Sequence, residues 1–437
     1  MIRAFLLCLL LTTGTLAARG GANASARFAR LQQEIRLARR DGKRTEVLSK
    51  SLELAQFLHH SGPSTEQVAL AYAALGTHAQ ALAWLREFAA MGQSDDELAS
   101  RSQFASIKTL PEFRNILATM HKSDSPIDRA TAVIGFHDAG LLPEDIDYDA
   151  ATRSFLVTSV LEKKIVRLGL NGTQRDFAGS PDGWPVLAIK IDARNGVIWA
   201  TEVAMAHFTG VPSKDWGRSA LFCLRLKDGA LIRKIDAPHT ALGDMALMPN
   251  GDAIVSDGDN GGVYRAHAGC TGTYLQRVDS GQFISPQTPA ALPDGRHVYI
   301  PDYVRGVAIL DVKTGQAQWL DGYHKHAMQG IDGLYLSSDD LLAIQNGASP
   351  ERVVAFGLNS GSQIANEKVI DRSSQTLGDP THGVVIDGDL YYIANSGWSA
   401  LDDHGRIKAG AKVTPAVIKK VPIAHLGEWI ERRAVTN

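Results

Sequence analysis

The hydrophobic pattern divides the chain into a helical front and a strand-rich back. Between residues 24 and 122, apolar residues such as Phe28 and Leu31 recur at intervals of three and four, which is the period of an amphipathic helix. Beyond the polar stretch 123–126, which contains a proline, apolar and polar residues alternate as they do in half-buried strands. This change predicts a helical domain over 24–122 and a β domain over 126–437.

The helical front contains one clear helix hairpin. Segment 68–75 predicts a helix that ends at Gly76, and segment 78–91 predicts a second helix that ends at Gly92. The small residues of 70–76 resemble those of a tetratricopeptide repeat, in which paired helices approach closely. Only one or two such units fit, so packing against the β domain is the favoured interpretation and docking of a protein partner is the alternative.

The β domain consists of a repeated hairpin. Each copy has a short apolar strand, a turn rich in Asp, Pro, Asn, Gly or Ser, and a second apolar strand that ends in a polar residue. The turns fall at positions 149, 192, 249, 293, 338 and 387, which are 43 to 57 residues apart. Six repeats of about 40–50 residues are typical of a β-propeller. The predicted fold is therefore mainly β, a six-bladed propeller whose last blade takes its fourth strand from 130–136.

Two rings of residues are predicted to meet at one end of the propeller channel, because each inner strand starts at the end where the following strand finishes. The inner strands start at Glu144, Leu187, Asp244, Thr288, Asp332 and His382. The second strands end at Ser159, Glu202, Asp257, Asp302, Asn346 and Asn395. Converging carboxylate and amide oxygens suit calcium or another hard divalent ion.

We interpret the inner ring as a metal site with Glu144, Asp244, Asp332 and His382 as ligands. The alternative is that these residues only form turns and cap strands, as Asp and Asn often do. Calcium is the first expectation for the metal, and zinc, magnesium and manganese are the alternatives. The predicted substrate contacts are Glu202, Asp257, Asp302, Asn346 and Asn395, together with Trp216 and Trp398 of two long loops at 203–218 and 397–413. For the loop aromatics, packing on the propeller rim is the alternative.

Four short motifs resemble the inner-strand starts of the senescence-marker-protein, gluconolactonase and luciferin-regenerating-enzyme-like propellers. They are Pro143-Glu144-Asp145-Ile146, Gly243-Asp244, Gly330-Ile331-Asp332-Gly333 and Thr381-His382-Gly383. The resemblance covers roughly residues 130 to 423. It implies six blades, one divalent metal held in the channel by a Glu, two Asn and an Asp, and the opening of lactones or related esters with metal-activated water.

Carried over by position, the resemblance assigns the family's blade-one glutamate to Glu144. This chain departs from the family pattern where Asp244 and Thr288 stand in place of amide ligands, and where His382 adds an imidazole. We therefore expect a metal-dependent hydrolase of a lactone or similar small ester, with Asp332 or His382 as the proton acceptor. The alternative is a propeller without catalytic activity that binds a small ligand or a protein.

The net charge and the first residues of the chain indicate which partners and which cellular compartment to expect. The 45 Lys and Arg residues against 47 Asp and Glu give a net charge of -2, which argues against a nucleic-acid partner. The short apolar run 4–11 before Thr15-Leu16-Ala17 predicts a signal peptide over 1–17, hence an exported protein, periplasmic or secreted, without a membrane span. The remaining cysteines, Cys223 and Cys270, are either bridged or two buried thiols.

Other chemical motifs are weak. No G-x-S-x-G turn follows a predicted strand, which argues against a serine nucleophile of that type. His324 and His326 form a His-x-His pair, but no third His or any Cys lies nearby in the sequence, so we interpret this pair as an exposed loop.

Overall fold

The structure is a computed structural model that describes residues 23–322, 324–338, 340–359 and 361–424. The predicted signal segment 1–17 lies outside the described residues. Helices occupy the front of the chain: α1 (Ala24–Arg40), α2 (Arg44–Phe57), α3 (Gly62–Ala74), α4 (His78–Ala90) and α5 (Pro111–Ser123). None of the helices in the described ranges is long and apolar enough to cross a membrane.

Local residue choice explains where these helices begin and pair. The Asn23 side chain accepts a hydrogen bond from the backbone N–H of Ser25 at 3.0 Å, which caps the start of α1. Gly76 follows α3 with a left-handed φ of +76°, which glycine adopts without steric cost. Ala69 of α3 and Ala81 of α4 are buried in one apolar cluster. Small residues at this contact let the two helices lie close together.

Strands occupy the remainder of the described chain. In chain order they are β1 (Ile127–Asp128), β2 (Thr131–Gly135), β3 (Pro143–Asp149), β4 (Ser154–Ser159), β5 (Lys164–Gly169), β6 (Gln174–Gly179), β7 (Val186–Asp192), β8 (Val197–Val203), β9 (Arg218–Arg225), β10 (Leu231–Pro238), β11 (Leu242–Leu247), β12 (Ala253–Asp257), β13 (Gly262–Ala266), β14 (Gln276–Arg277), β15 (Ala290–Ala291), β16 (His297–Asp302), β17 (Gly306–Asp311), β18 (Ala317–Trp319), β19 (Ile331–Ser337), β20 (Asp340–Gln345), β21 (Arg352–Asn359), β22 (Gln363–Arg372), β23 (Gly383–Ile386), β24 (Asp389–Ile393) and β25 (Val417–Pro422).

Within the described ranges these strands form six antiparallel sheets, the blades of a propeller. Blades 1 to 4 are the consecutive sets β3–β6, β7–β10, β11–β14 and β15–β18. Blade 5 is β19–β22 with β1 added at its outer edge, and blade 6 is β23–β25 with β2 as its fourth strand. The predicted six-bladed fold is therefore confirmed, including its closure by a strand from before blade 1.

A buried ion pair connects the two blades that close the ring. The Lys419 ammonium of β25 lies 2.6 Å from Asp371 Oδ2 of β22 and 2.7 Å from Asp128 Oδ1 of β1, and the Lys419 side chain is only 1% exposed. The Tyr392 hydroxyl donates to the same Asp371 oxygen at 2.5 Å. These contacts hold β1 and the two middle strands of blade 6, β24 and β25, against blade 5.

The apolar core lies between neighbouring blades. Every residue of β8 is buried. Leu156 and Ile165 of blade 1 pack with Ile198 and Phe222 of blade 2 in a single cluster. Burial of one such side chain contributes about 1.5–3 kcal/mol. This packing fixes the relative positions of the inner-strand starts.

A disulfide joins blades 2 and 3. It links Cys223 of β9 to Cys270, which follows β13, with the two Cα atoms 6.1 Å apart. The choice between a bridge and two thiols, which the sequence leaves open, is thus decided by the packing of adjacent blades.

The helical segment packs on the end of the propeller where the inner strands start. Arg305, just after β16, donates from Nε to the carbonyl oxygen of Phe57 at 3.2 Å. The backbone N–H of Ser94 donates to the carbonyl oxygen of Ser349, just after β20, at 2.7 Å. Since β16 and β20 both finish at this end, the helices cover it on the side of blades 4 and 5.

Candidate metal site at the end of the channel

Three predicted ligands from three blades converge at this end. Glu144 of β3, Asp332 of β19 and His382, just before β23, each place one ligand atom within 4.8 Å of the others. Asp332 is 8% exposed and His382 is 2% exposed, whereas Glu144 is half-buried. Asp244 of β11 adds a further contact, with its Oδ1 2.6 Å from Nε2 of His382.

Irregular pairing at the inner-strand starts turns the acidic side chains out of the regular sheet pattern. The register shifts between Pro143 and Ile146 in blade 1, between Leu242 and Asp244 in blade 3, and between Ile331 and Gly333 in blade 5. A β-bulge of this kind re-aims a side chain and is common beside active sites.

A glycine makes the entry to blade 5 possible. Gly330 has a φ of +68°, and a Cβ atom there would lie 2.3 Å from the backbone carbon of Gly347. Any side chain at this position would clash with the backbone of Gly347, which explains why a glycine stands two residues before Asp332.

The His382 ring is held by its other nitrogen. Nδ1 donates to the carbonyl oxygen of Glu144 at 2.8 Å, so Nε2 is the nitrogen available to the site. Nε2 lies 2.6 Å from Asp244 Oδ1 and forms an ion pair with it when the imidazole is protonated. Burial alone would lower the pKa of His382, but the negative charges of Asp332 and Asp244 outweigh burial and raise it well above its usual value.

Neighbouring side chains orient both carboxylates of the candidate site. Trp398 Nε1 donates to Glu144 Oε2 at 2.5 Å. Asn346 Nδ2 donates to Asp332 Oδ2 at 2.7 Å, and the Tyr303 hydroxyl donates in turn to Asn346 Oδ1 at 2.9 Å. Outer contacts of this type fix ligand orientation in metal sites.

The carboxylates repel one another in a buried setting. Burial and the charge of Asp332 raise the pKa of Glu144 from 4.5 to about 8. Burial also raises the pKa of Asp332 from 3.8 to about 6, although the neighbouring His382 opposes this. A divalent cation among these groups would relieve the repulsion.

Four residues predicted to contact substrate bind loop backbone through polar side-chain atoms, and their substrate role stays a prediction. Asp257 Oδ1 accepts from the backbone N–H groups of Ala241, Asp259 and Asn260 at 3.0–3.2 Å. The side chains of Glu202, Asp302 and Asn395 likewise accept backbone N–H groups, from Asp182, Ile284 and Val417 respectively. Asn346 and Trp398, from the same prediction, donate hydrogen bonds to the candidate ligands Asp332 and Glu144.

The two long loops meet each other over blades 1 and 2. The backbone N–H of Thr209 donates to the carbonyl oxygen of His404 at 2.8 Å. Trp216, which was predicted to contact substrate, donates from Nε1 to the carbonyl oxygen of Val211 at 3.2 Å and packs in an apolar cluster with Phe208. Trp398 borders the same cluster. The loops thus form an apolar cover beside Glu144.

Two residues near the site escaped the sequence prediction. Tyr303 follows the second-ring residue Asp302 directly and donates its hydroxyl hydrogen to Asn346 Oδ1, a relation that no local pattern signals. Thr381 precedes His382 and is fully buried, with a hydroxyl that has no hydrogen-bond partner in the described part of the chain. Thr381 belongs to the Thr381-His382-Gly383 motif, so its position next to a predicted ligand was the available signal.

A surface depression elsewhere brings none of these groups together. It has a volume of about 500 Å³ and is lined by Val133 to His137 of blade 6 and Leu170 to Gly172 of blade 1. We therefore place the candidate chemistry at the converging ligands.

Neither a known protein family nor a curated protein matches the chain. Among solved structures, it is similar to the PQQ-bound aldose sugar dehydrogenase of Streptomyces coelicolor, with 12% identity and a TM-score of 0.48 over 68% of this chain and 99% of that chain. It is also similar to a luciferin-regenerating enzyme, with 14% identity and a TM-score of 0.46 over 68% of this chain and 95% of that one.

A third similar structure is the calcium-binding protein regucalcin of Agrobacterium tumefaciens, with 16% identity and a TM-score of 0.44 over 67% of this chain and 95% of that chain. The luciferin-regenerating enzyme bears a name of the family that the sequence resembles. Similarity at this level concerns the propeller architecture and not the activity.

Proposed function

We propose that this chain is an exported hydrolase that binds one divalent metal through Glu144, Asp332 and His382 and opens a lactone or similar small ester. The observation that carries the proposal is the convergence of three ligand atoms within 4.8 Å around a buried imidazole nitrogen. Two carboxylates and one imidazole are a donor set that catalytic metals use, with a further position left for water or substrate.

The imidazole favours a transition metal over calcium. Calcium takes about six to eight oxygen ligands, whereas zinc and manganese accept mixed nitrogen and oxygen donors. Because His382 retains Nε2 for the site, we propose zinc or manganese in place of the calcium that the sequence first suggested.

The bound metal would act as a Lewis acid on the ester carbonyl and lower the pKa of a water molecule. The residues of the chain have separate tasks. His382 would hold the metal through Nε2 and would then not accept a proton there. Asp244, with Oδ1 2.6 Å from that nitrogen and outside the three-ligand group, is the carboxylate we assign as proton acceptor. Trp398 keeps Glu144 in its ligand orientation.

The surroundings of the site favour a small, partly apolar substrate. The cover formed by loops 203–218 and 397–413 lies beside Glu144, and the helical segment lies over blades 4 and 5. Such a cover excludes water and strengthens electrostatic interactions with the substrate.

Export is part of the proposal. The disulfide between Cys223 and Cys270 supports an oxidising compartment, in agreement with the predicted signal peptide over 1–17. A mature protein that retains the first 17 residues would contradict it, and mass spectrometry of the secreted or periplasmic product measures this directly.

A second candidate function is metal-dependent ligand binding without turnover. The low exposure of Asp332 and His382 favours it, because a closed site retains a ligand more readily than it exchanges one. We also propose that a protein partner could dock on the helical segment. This proposal is independent of the metal site.

Metal binding to the mature protein tests the function. After chelator treatment, zinc, manganese and calcium are titrated into the wild type, Asp332→Asn and the control Asp257→Asn. Asp257 ends a second strand at the same end of the channel, and its carboxylate binds backbone N–H groups. We expect Asp332→Asn to weaken binding at the channel at least 10-fold and Asp257→Asn to leave it unchanged.

Turnover of a lactone and ester panel then separates the two candidates. Metal-dependent hydrolysis that Asp244→Asn abolishes without loss of metal supports the hydrolase. Metal binding without hydrolysis supports the second candidate, and the absence of metal binding at the channel refutes both.

A further inference from the structure

A second group of metal-ligating side chains lies outside the channel, at the junction of the helical segment and the propeller. His60 lies in the turn between α2 and α3, Glu87 lies on α4, and His324 lies in the loop between β18 and β19. One ligand atom from each lies within 4.8 Å of the others. Nδ1 of His60 is 2.7 Å from Glu87 Oε1, and Nδ1 of His324 is 2.8 Å from the same oxygen.

Packing holds the His60 imidazole in this position. Its ring stacks on Trp84 with a centroid distance of 4.9 Å and an interplanar angle of 14°. It meets the His324 ring edge-on at 4.4 Å. The backbone of His60 has a φ of +53°, a left-handed conformation that is costly for a residue with a Cβ atom. The turn thus fixes the ring at the expense of backbone strain.

We propose that His60, Glu87 and His324 form a zinc-type transition-metal site that joins the helical segment to the propeller. Two imidazole nitrogens and one carboxylate oxygen are an established ligand set for zinc. In a tetrahedral site with bonds near 2.0 Å the donor atoms lie about 3.3 Å apart, so the observed spacing needs only small side-chain rotations. The His324 side chain is 53% exposed, which leaves a path for the ion and a position for a water ligand.

The neighbouring histidines have other contacts. His326 Nδ1 lies 3.0 Å from Glu367 Oε2, and the His59 ring packs on Trp319 with a centroid distance of 4.8 Å. The sequence pair His324 and His326 is therefore divided between two partners. For His324 that partner is Glu87 of helix α4, a ligand that the sequence around His324 does not contain.

Such a site couples metal binding to the association of the two parts of the chain. Glu87 and His324 are 237 residues apart in sequence, so the unfolded chain does not present them together. An ion that binds only the folded chain stabilises it by mass action. At a zinc concentration 100 times the dissociation constant, the unfolding equilibrium constant falls about 100-fold.

The test uses zinc and cobalt alone, on mature protein in which His382→Gln silences the proposed channel site. In this background we expect one equivalent of cobalt to bind with the absorption of a tetrahedral complex, and zinc to raise the Tm. Adding His324→Gln, which retains an N–H donor for Glu87 but replaces the imidazole, should remove both effects. Glu87→Gln, from which the carboxylate charge is lost, should do the same.

The matched control is His297→Gln. His297 Nδ1 lies 2.5 Å from Asp294 Oδ2, on a turn of blade 4. This histidine–carboxylate pair belongs to neither of the two candidate ligand groups among the described residues. It should leave cobalt binding and the zinc-induced Tm rise unchanged. Equal metal binding with and without His324→Gln, or no binding at all in the His382→Gln background, overturns the proposal. Because the channel site is silenced throughout, either result leaves the proposed hydrolase untouched.

Discussion

Replacing Glu144 with glutamine should stabilise the metal-free protein and abolish metal binding at the channel. The variant keeps a side-chain carbonyl that accepts from Trp398 Nε1, so the local packing is conserved. It removes a carboxyl group that burial and the charge of Asp332 make difficult to ionise. The residue that serves the proposed metal therefore destabilises the fold when the metal is absent.

The magnitude follows from the pKa of Glu144. Folding raises it from 4.5 to about 8, so between these pH values the folded protein keeps a proton that the unfolded chain has released. Stability then falls as pH rises, by about 1.4 kcal/mol for each pH unit at most. Because the side chain is only half-buried and solvent screens its charge, we expect a cost of about 2–3 kcal/mol at pH 7.

Urea denaturation in chelator at pH 5, 6, 7 and 8 measures the effect. The stability difference between Glu144→Gln and the wild type should be small at pH 5 and grow up to pH 8. Zinc added at pH 7 should raise the Tm of the wild type more than that of the variant. A difference that stays constant from pH 5 to pH 8 would refute the reasoning, since Glu144 would then not hold a proton in the folded protein.

Three other changes have defined outcomes. Trp398→Phe removes the N–H that orients Glu144, so calorimetry should show metal affinity at the channel reduced about 10-fold or more, and an unchanged affinity would contradict this role. Lys419→Met leaves the buried Asp371 carboxylate without its ammonium partner, so urea denaturation should show a loss of about 3–5 kcal/mol, and a loss under about 1 kcal/mol would show that the ion pair is not needed. Reducing the disulfide between blades 2 and 3 should lower stability by roughly 2–4 kcal/mol, and a thiol assay on the unfolded, unreduced mature protein should detect none.

The propeller was predictable because its signals are local. Each inner hairpin joins adjacent strands through a short turn, as at β3 and β4, so the alternating pattern and the turn residues mark both strands. The position of β2 also follows from the repeat, because in the described part of the chain blade 6 takes three strands from 383–422 and its fourth from 131–135. The addition of β1 to blade 5 left no such signal, since a strand of two residues has no periodicity.

The site was predictable only in part. Alignment of the repeats placed Glu144, Asp332 and His382 at equivalent inner-strand starts, and the structure brings their ligand atoms together. The same alignment placed Asp257 and Asp302 at the ends of second strands, where loop N–H groups bind their carboxylates. Which acidic side chains remain available depends on bulges and loop paths, which the residue pattern does not specify.

The sequence by itself determined the number of blades, the helical front and the ring positions, because hydrophobic period and turn chemistry act over a few residues. Only the tertiary structure decided which ring residues meet, that Cys223 pairs with Cys270, and that a histidine of the helical segment faces one of the propeller across Glu87. These outcomes depend on how distant segments pack, and packing sets distances of a few ångströms between residues that the chain separates by up to hundreds of positions.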